Sequence, residues 1–113
     1  MNTLRNKVQL IGNLGNDPQV HVFENGNKKA SMSLATNESY TNKEGEKVQN
    51  TQWHNVVFFG KTADIVEQYL VKGSEIAIEG KLTSRSYETK EGETRYVTEV
   101  VGSELLMLGR KTD

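Results

Sequence analysis

The chain has 113 residues, of which 35% are apolar and 26% charged. This length and composition predict one compact domain with a thin core. No cysteine is present, which excludes disulfides and thiolate zinc sites, and we expect neither a metal nor a cofactor. No apolar run approaches the ~20 residues that span a bilayer, and the N-terminus lacks an apolar signal region, so we expect a cytoplasmic protein without membrane contact.

Electrical charge is almost balanced, with 14 Lys and Arg against 15 Asp and Glu and a formal net charge of -1. Composition alone therefore gives no reason to expect a polyanionic partner. A nucleic-acid site would require its cations to gather on one face of the fold.

The first half of the chain has the alternation typical of β-strands. Residues 7–11 form a short β-like run, and Asn25-Gly26-Asn27 fits a tight hairpin turn. Ala30, Met32 and Leu34 then alternate with Lys29, Ser31 and Ser33, which predicts a strand with its even positions inward. Residues 41–49 have no hydrophobic period and predict a mobile hairpin tip or long loop.

The second half contains a helix between strands. Residues 51–59 are rich in aromatic and β-branched side chains and predict a strand. From Lys61 the apolar spacing changes to that of a helix of about ten residues, which ends before Gly73. Residues 74–89 and 95–101 alternate again as two strands joined by a turn at 90–93, and an apolar segment follows at 105–108.

This order predicts an all-β fold, a five-stranded Greek-key barrel of the oligonucleotide-binding (OB) type with one short helix between strands 3 and 4. A plain β-sandwich ranks second because it has no natural place for the helix. We expect the OB domain to cover residues 1–110 and residues 111–113 to form a C-terminal stub.

Catalytic motifs are absent from the sequence. His21 and His54 lie in no catalytic or metal-binding pattern, and Asp64 with Glu67 is better explained by a solvated helix surface. The glycines of GNLGNDP are not followed by the Gly-Lys-Ser/Thr of a phosphate-binding loop. We therefore expect a binding protein, with a small hydrolase or nuclease as a remote alternative.

Aromatic side chains and cations are interleaved on the predicted strands. If Val56 and Phe58 point inward, Trp53 and Phe59 lie together on the outward face, although a lone strand Trp is more often in a core. The polar register of the next strand carries Lys81, Arg85 and Tyr87, and Tyr40 precedes a loop with Lys43 and Lys47. Such alternation suits unpaired nucleic acid, because aromatic rings stack on bases while cations bind phosphates.

Several segments, taken in order, resemble the bacterial single-stranded DNA-binding protein (SSB) family. They are NKVQLIGNLGNDP, LATNESY, QWHNVVFFGK, EQYLVKGS, IEGKL, RYVTEVV and MLGR, and they run from about Asn6 to Arg110. The resemblance implies a homotetramer of OB domains that coats single-stranded DNA, without sequence specificity, in replication, recombination and repair.

The resemblance also implies roles for individual residues. Base stacking falls on Trp53, Phe59, Tyr40 and Tyr87. Phosphate contacts fall on Lys7, Lys43, Lys61, Lys72, Arg85 and Arg95, and a subunit contact falls on His54. Four positions that are basic in some members are neutral here, namely Asn55, Val71, Thr83 and Ser86, so we expect weaker and less salt-sensitive binding.

The C-terminus departs from the family pattern, because the sequence stops at Lys111-Thr112-Asp113 without the usual flexible linker and acidic tip. If that end is complete, we expect the protein to coat DNA without recruiting partners through a tail. A primosomal-type OB adaptor that mainly binds protein or RNA is the alternative function.

Overall fold

The computed structural model describes residues 5–108 as one sheet with a single helix. Its elements are β1 (Val8–Leu14), β2 (Gln19–Val22), β3 (Lys28–Thr41), β4 (Lys47–Phe59), α1 (Lys61–Tyr69), β5 (Glu75–Glu88) and β6 (Thr94–Met107). Arg110 and the predicted stub at 111–113 lie outside the described residues. Within 5–108, no helix has the length and hydropathy needed to cross a membrane.

The sheet closes into a barrel. Its strand order is β1-β5-β6-β4-β3-β2, and β1 also pairs with β3, so five strands close on themselves while β2 extends β3. Closure removes most of the unpaired strand edges. The predicted barrel is confirmed, but the helix lies between the fourth and fifth strands and not between the third and fourth. The difference arises because Gln19–Val22 forms a separate strand.

The β3–β4 hairpin is longer than the sequence suggested. Its strands pair as far as Thr41 and Lys47, so only residues 42–46 form the turn. The side-chain oxygen of Asn42 accepts hydrogen bonds from the backbone N–H groups of Glu44 and Glu46. Of the two alternatives predicted for 41–49, the structure has a hairpin tip, confined to 42–46, and not a long loop. The predicted bounds were too wide because local hydrogen bonding, and not apolar periodicity, organises the tip.

The core is apolar and follows from strand alternation. Its largest fully buried side chains are Phe58, Leu34, Ile76, Val56 and Val66. Val57 is also buried, but its register places it on the outer side of β4 and outside this core cluster. Ala63 and Val66 of α1 pack into this core, so the helix covers part of the barrel interior. A Cβ atom on Gly102 would overlap the ring of Phe58, which means that this glycine makes room for the aromatic side chain.

A lysine connects the start of β3 to the helix. The Nζ atom of Lys28 lies 2.8 Å from Oδ1 of Asp64 and 2.7 Å from Oε1 of Glu67. Hydrogen bonds to Asp64 and Glu67 raise the pKa of Lys28 above its ordinary value of 10.5. A raised lysine pKa stabilises the fold at all pH values below the unfolded value, and the effect is lost as the pH rises through the folded value.

We therefore expect Lys28→Gln to lower the melting temperature by a few degrees at neutral pH and low salt. The decrease should become smaller at high salt, because these side chains are partly exposed and their attraction is screened. Thermal unfolding monitored by circular dichroism at two salt concentrations measures the effect. Lys29→Gln, which removes the same charge one residue away, is the control. Equal effects of the two variants would contradict this role of Lys28.

Candidate nucleic-acid interface

The β3–β4 register decides which side chains of β4 face outward. Phe58 pairs with Ala30 and lies in the core, whereas Phe59 pairs with Lys29 and Trp53 pairs with Ala35 on the opposite side of the sheet. Trp53 is 62% exposed and Phe59 is 49% exposed. We call the outer side of β4 from Trp53 to Phe59 the stacking face.

Trp53 lies on the backbone of the β1–β2 connection. A Cβ atom on Gly15 would overlap Cζ3 of the indole, so the ring can lie there only because residue 15 has no side chain. The backbone N–H of Gly15 donates to the carbonyl of Ser33 at 2.8 Å, which holds this segment against β3. One edge of the ring is therefore supported while much of its surface remains open to solvent.

We expect Gly15→Ala to displace the Trp53 ring and to weaken any binding that depends on stacking. Because the indole is largely exposed, it can move aside, and the fold should lose little stability. Titration with oligo-dT, together with the Trp53 emission of the free protein, measures both effects. In a Trp53→Ala background the Gly15 change should cost no further affinity; independent additive losses would show that Gly15 does not act through the ring.

The other two predicted stacking residues are also exposed, Tyr40 at 56% and Tyr87 at 47%. Tyr87 pairs with Arg95, and the same β5–β6 register pairs Lys81 with Val101. Val101 in turn pairs with Val57 of the stacking face. Tyr87 therefore lies on the same outer side as Trp53. Tyr40 pairs with Val48, and this pair has the same parity as the inward-facing pair of Ala30 and Phe58. Tyr40 therefore lies on the side of the hairpin opposite to Trp53.

Half of the predicted phosphate contacts already have an intramolecular partner. Arg85 Nε lies 3.2 Å from Oε1 of Glu99, and Arg95 Nη2 lies 3.1 Å from Oε2 of Glu93. Lys7 Nζ lies 3.4 Å from Oε1 of Glu79. Hydrogen bonds from Gln9 and Lys7 lower the pKa of that Glu79 carboxyl.

The remaining three predicted cations are distributed around the turns and the helix. Lys43 lies in the β3–β4 turn, Lys61 begins α1, and Lys72 follows that helix. In the described chain none of them has a carboxylate oxygen within 4.0 Å. These three lysines are the predicted phosphate contacts that can bind a phosphate without first breaking an ion pair.

His54 points away from the stacking face, as its parity predicts. It pairs with Leu34 and is half-buried. Its Nε2 atom lies 3.0 Å from Oγ1 of Thr36 on the neighbouring strand. The ring thus has one hydrogen-bond partner within its own chain.

Comparison with known proteins identifies the family. The model of the Single-strand binding protein family matches residues 5–108, which is nearly the whole chain. The chain belongs to the single-strand binding protein family. The resemblance found in the sequence is therefore confirmed.

Individual relatives of this single-strand binding protein agree with the assignment. It is 48% identical over 109 residues to single-stranded DNA-binding protein 1 of Xylella fastidiosa, covering 96% of this chain and 80% of the relative. A structure of the Plasmodium falciparum SSB in complex with single-stranded DNA matches with a TM-score of 0.86 and 32% identity, covering 96% of this chain and all of that one. A deletion mutant of the Thermus aquaticus protein matches with a TM-score of 0.80 and 28% identity, covering 92% of this chain and 50% of that one.

Three residues of the candidate site were not predicted from the sequence. Lys29 could have been found, because it alternates with the inward positions of β3 and so had to face outward. Glu99 could not, since its contact with Arg85 depends on the register between β5 and β6. Gly15 reads as a turn glycine, and only the position of the indole reveals its second role.

Proposed function

We propose that this protein coats and protects single-stranded DNA in bacterial replication, recombination and repair, without sequence specificity. The observation that carries the proposal is the outward exposure of Trp53 and Phe59 on one face of a closed barrel. Every base has an aromatic face, so stacking at roughly 1 to 3 kcal/mol per base holds a strand without reading its sequence. This mode of binding needs no catalytic residue, and we propose none.

We assign base stacking to Trp53, Phe59 and Tyr87 on the outer side, and to Tyr40 where the DNA passes around the β3–β4 hairpin. Phosphates are bound by cations at the rim, for which we propose Lys7, Lys43, Lys61, Lys72 and Arg95. Arg85, which the family resemblance adds to this set, is paired with Glu99 in the middle of the outer side. The printed names of the relatives support this assignment, because one is called a single-stranded DNA-binding protein and another was solved with single-stranded DNA. Binding to DNA would place the protein on the bacterial nucleoid.

We further propose that the protein acts as a homotetramer. Ile11 and Leu106 are exposed, and both pair with Ala77, so the three side chains form an apolar row across β1, β5 and β6. An exposed apolar row of this kind is typical of an interface. His54 is our candidate for a second subunit contact. Light scattering should give four times the chain mass; the mass of a monomer would contradict the proposal.

The function is tested by fluorescence anisotropy with labelled oligo-dT, the matching RNA and a DNA duplex. We expect submicromolar binding of oligo-dT at low salt and far weaker binding of the duplex, whose bases are already stacked on each other. The adaptor alternative predicts weak binding of oligo-dT and little loss on Trp53→Ala. Binding of duplex and single strand with equal affinity would contradict a stacking mechanism.

A further inference from the structure

Two adjacent lysines at the start of β3 have their side chains on opposite sides of the sheet. Lys28 forms ion pairs with Asp64 and Glu67 of the helix. Lys29 pairs with Phe59 in the strand register and is half-buried on the outer side. The alternation of a β-strand separates a lysine that stabilises the fold from one that faces the stacking face.

Lys29 lines a polar cleft in the middle of this surface. The cleft, which we call the central cleft, is lined among others by Lys29, Ser31, Asn55, Val57, Arg85 and Glu99. Asn55 and Val57 lie between Trp53 and Phe59 on the same outer side of β4. A strand whose bases stack on both rings must therefore pass over the central cleft.

The two cations of the cleft differ in their availability. Arg85 donates from Nε to Glu99 at 3.2 Å; the Glu99 side chain is 12% exposed, whereas the Arg85 side chain is 54% exposed, so the carboxylate lies beneath a guanidinium that still meets solvent. Lys29 has no carboxylate oxygen within 4.0 Å in residues 5–108. A phosphate over the cleft would meet one cation that already has a carboxylate beside it and one that, among residues 5–108, has none.

We propose that Lys29, rather than Arg85, binds the DNA phosphate that passes over the central cleft. The inference rests on the proposed function and refines it, because Lys29 was not among the phosphate contacts expected from the family resemblance. A phosphate at Lys29 replaces mobile counterions only. A phosphate at Arg85 would have to compete with the Glu99 carboxylate or lie beside it, and repulsion opposes both arrangements.

The test uses the salt dependence of oligo-dT affinity. Each phosphate contact on a single strand contributes about -0.7 to the slope of log affinity against log salt. We expect Lys29→Gln to make the slope shallower by about 0.7 and to weaken binding several-fold at low salt. The double variant R85Q/E99Q removes the ion pair and keeps the net charge, so we expect it to leave the slope unchanged.

Lys28→Gln is the matched control, since it removes the same charge from the neighbouring residue. Lys28→Gln should lower the melting temperature and leave the slope unchanged. Lys29→Gln should leave the melting temperature unchanged and make the slope shallower. A shallower slope in R85Q/E99Q together with an unchanged slope in K29Q would overturn the proposal and assign the phosphate to Arg85. Identical slopes for K28Q and K29Q would also overturn it, as a general charge effect.

The outcomes distinguish this proposal from the function on which it rests. Wild-type protein that binds oligo-dT while K29Q keeps the wild-type slope overturns the role of Lys29 alone. Wild-type protein that does not bind oligo-dT at low salt overturns both. E99Q supplies an additional readout, because freeing Arg85 should tighten binding and steepen the slope by up to about 0.7. Weaker binding by E99Q would instead show that Glu99 positions Arg85 for a phosphate.

Discussion

Trp53→Ala should weaken the binding of oligo-dT by roughly 5- to 140-fold, which corresponds to the loss of one base-stacking contact of about 1 to 3 kcal/mol. The indole is the largest ring on the stacking face and is 62% exposed, so its surface is available to a base. Alanine removes the ring without leaving a cavity, because Trp53 does not belong to the core cluster. The melting temperature should therefore change little while the affinity falls.

Tyr69→Ala is a suitable control for this experiment. Tyr69 is an equally exposed aromatic residue, but it lies at the end of α1 and not on the outer side of β4. Its removal should leave the affinity for oligo-dT unchanged. Equal losses in the two variants would show that exposed aromatic area, and not its position on the stacking face, determines binding.

Phe58→Ala should lower the free energy of unfolding by about 3 to 5 kcal/mol, because it removes a fully buried ring and leaves a cavity in the core. Small domains are stable by only about 5 to 15 kcal/mol in total, so this variant should be close to its unfolding threshold at moderate temperature. Urea denaturation measures the loss. The space beside Gly102 would also lose its occupant.

The neighbouring change Phe59→Ala should have the opposite profile. Phe59 is about half exposed on the stacking face, so its removal should reduce stability much less and DNA affinity more. Comparing urea midpoints with oligo-dT affinities for the two variants separates core from binding surface at adjacent positions. Similar stability losses for both would contradict the inward and outward assignment of β4.

Strand alternation allowed much of the site to be predicted from the sequence. The positions of Val56 and Phe58 required Trp53 and Phe59 to face outward once one side of β4 was buried, and the structure has this arrangement. The change from a two-residue to a helical period at Lys61 likewise located α1. These features depend on local periodicity, which a sequence displays directly.

Features that depend on register or on contacts between distant strands were not predictable. Tyr40 was expected along the same groove as the other three rings, yet it lies five residues beyond Ala35, the partner of Trp53, and this odd offset places it in the opposite register. The hairpin turn at Asn25-Gly26-Asn27 predicted a strand before it, which β2 forms, but the predicted count of five strands did not separate β2 from β1. The pair between Arg85 and Glu99 joins side chains 14 residues apart, and no local pattern indicates it.

The distribution of charge explains how a chain with a net charge of -1 can bind a polyanion. Four of its Lys and Arg side chains have a carboxylate within 4.0 Å among residues 5–108, namely Lys7, Lys28, Arg85 and Arg95. Most of the cations in the described part of the chain are therefore free to meet a phosphate, but the balanced net charge gives no general attraction for DNA, so exposed rings have to supply much of the binding free energy. We accordingly expect weaker salt dependence than in more basic members of the family.

The central claim is that bases stack on the exposed ring of Trp53, and the emission of this residue tests it most directly. Trp53 is the only tryptophan of the chain, so the signal reports one position. Titration with oligo-dT at low salt should quench the emission strongly and saturably, with the midpoint found by anisotropy. Unchanged emission in the presence of bound DNA would contradict the stacking mechanism.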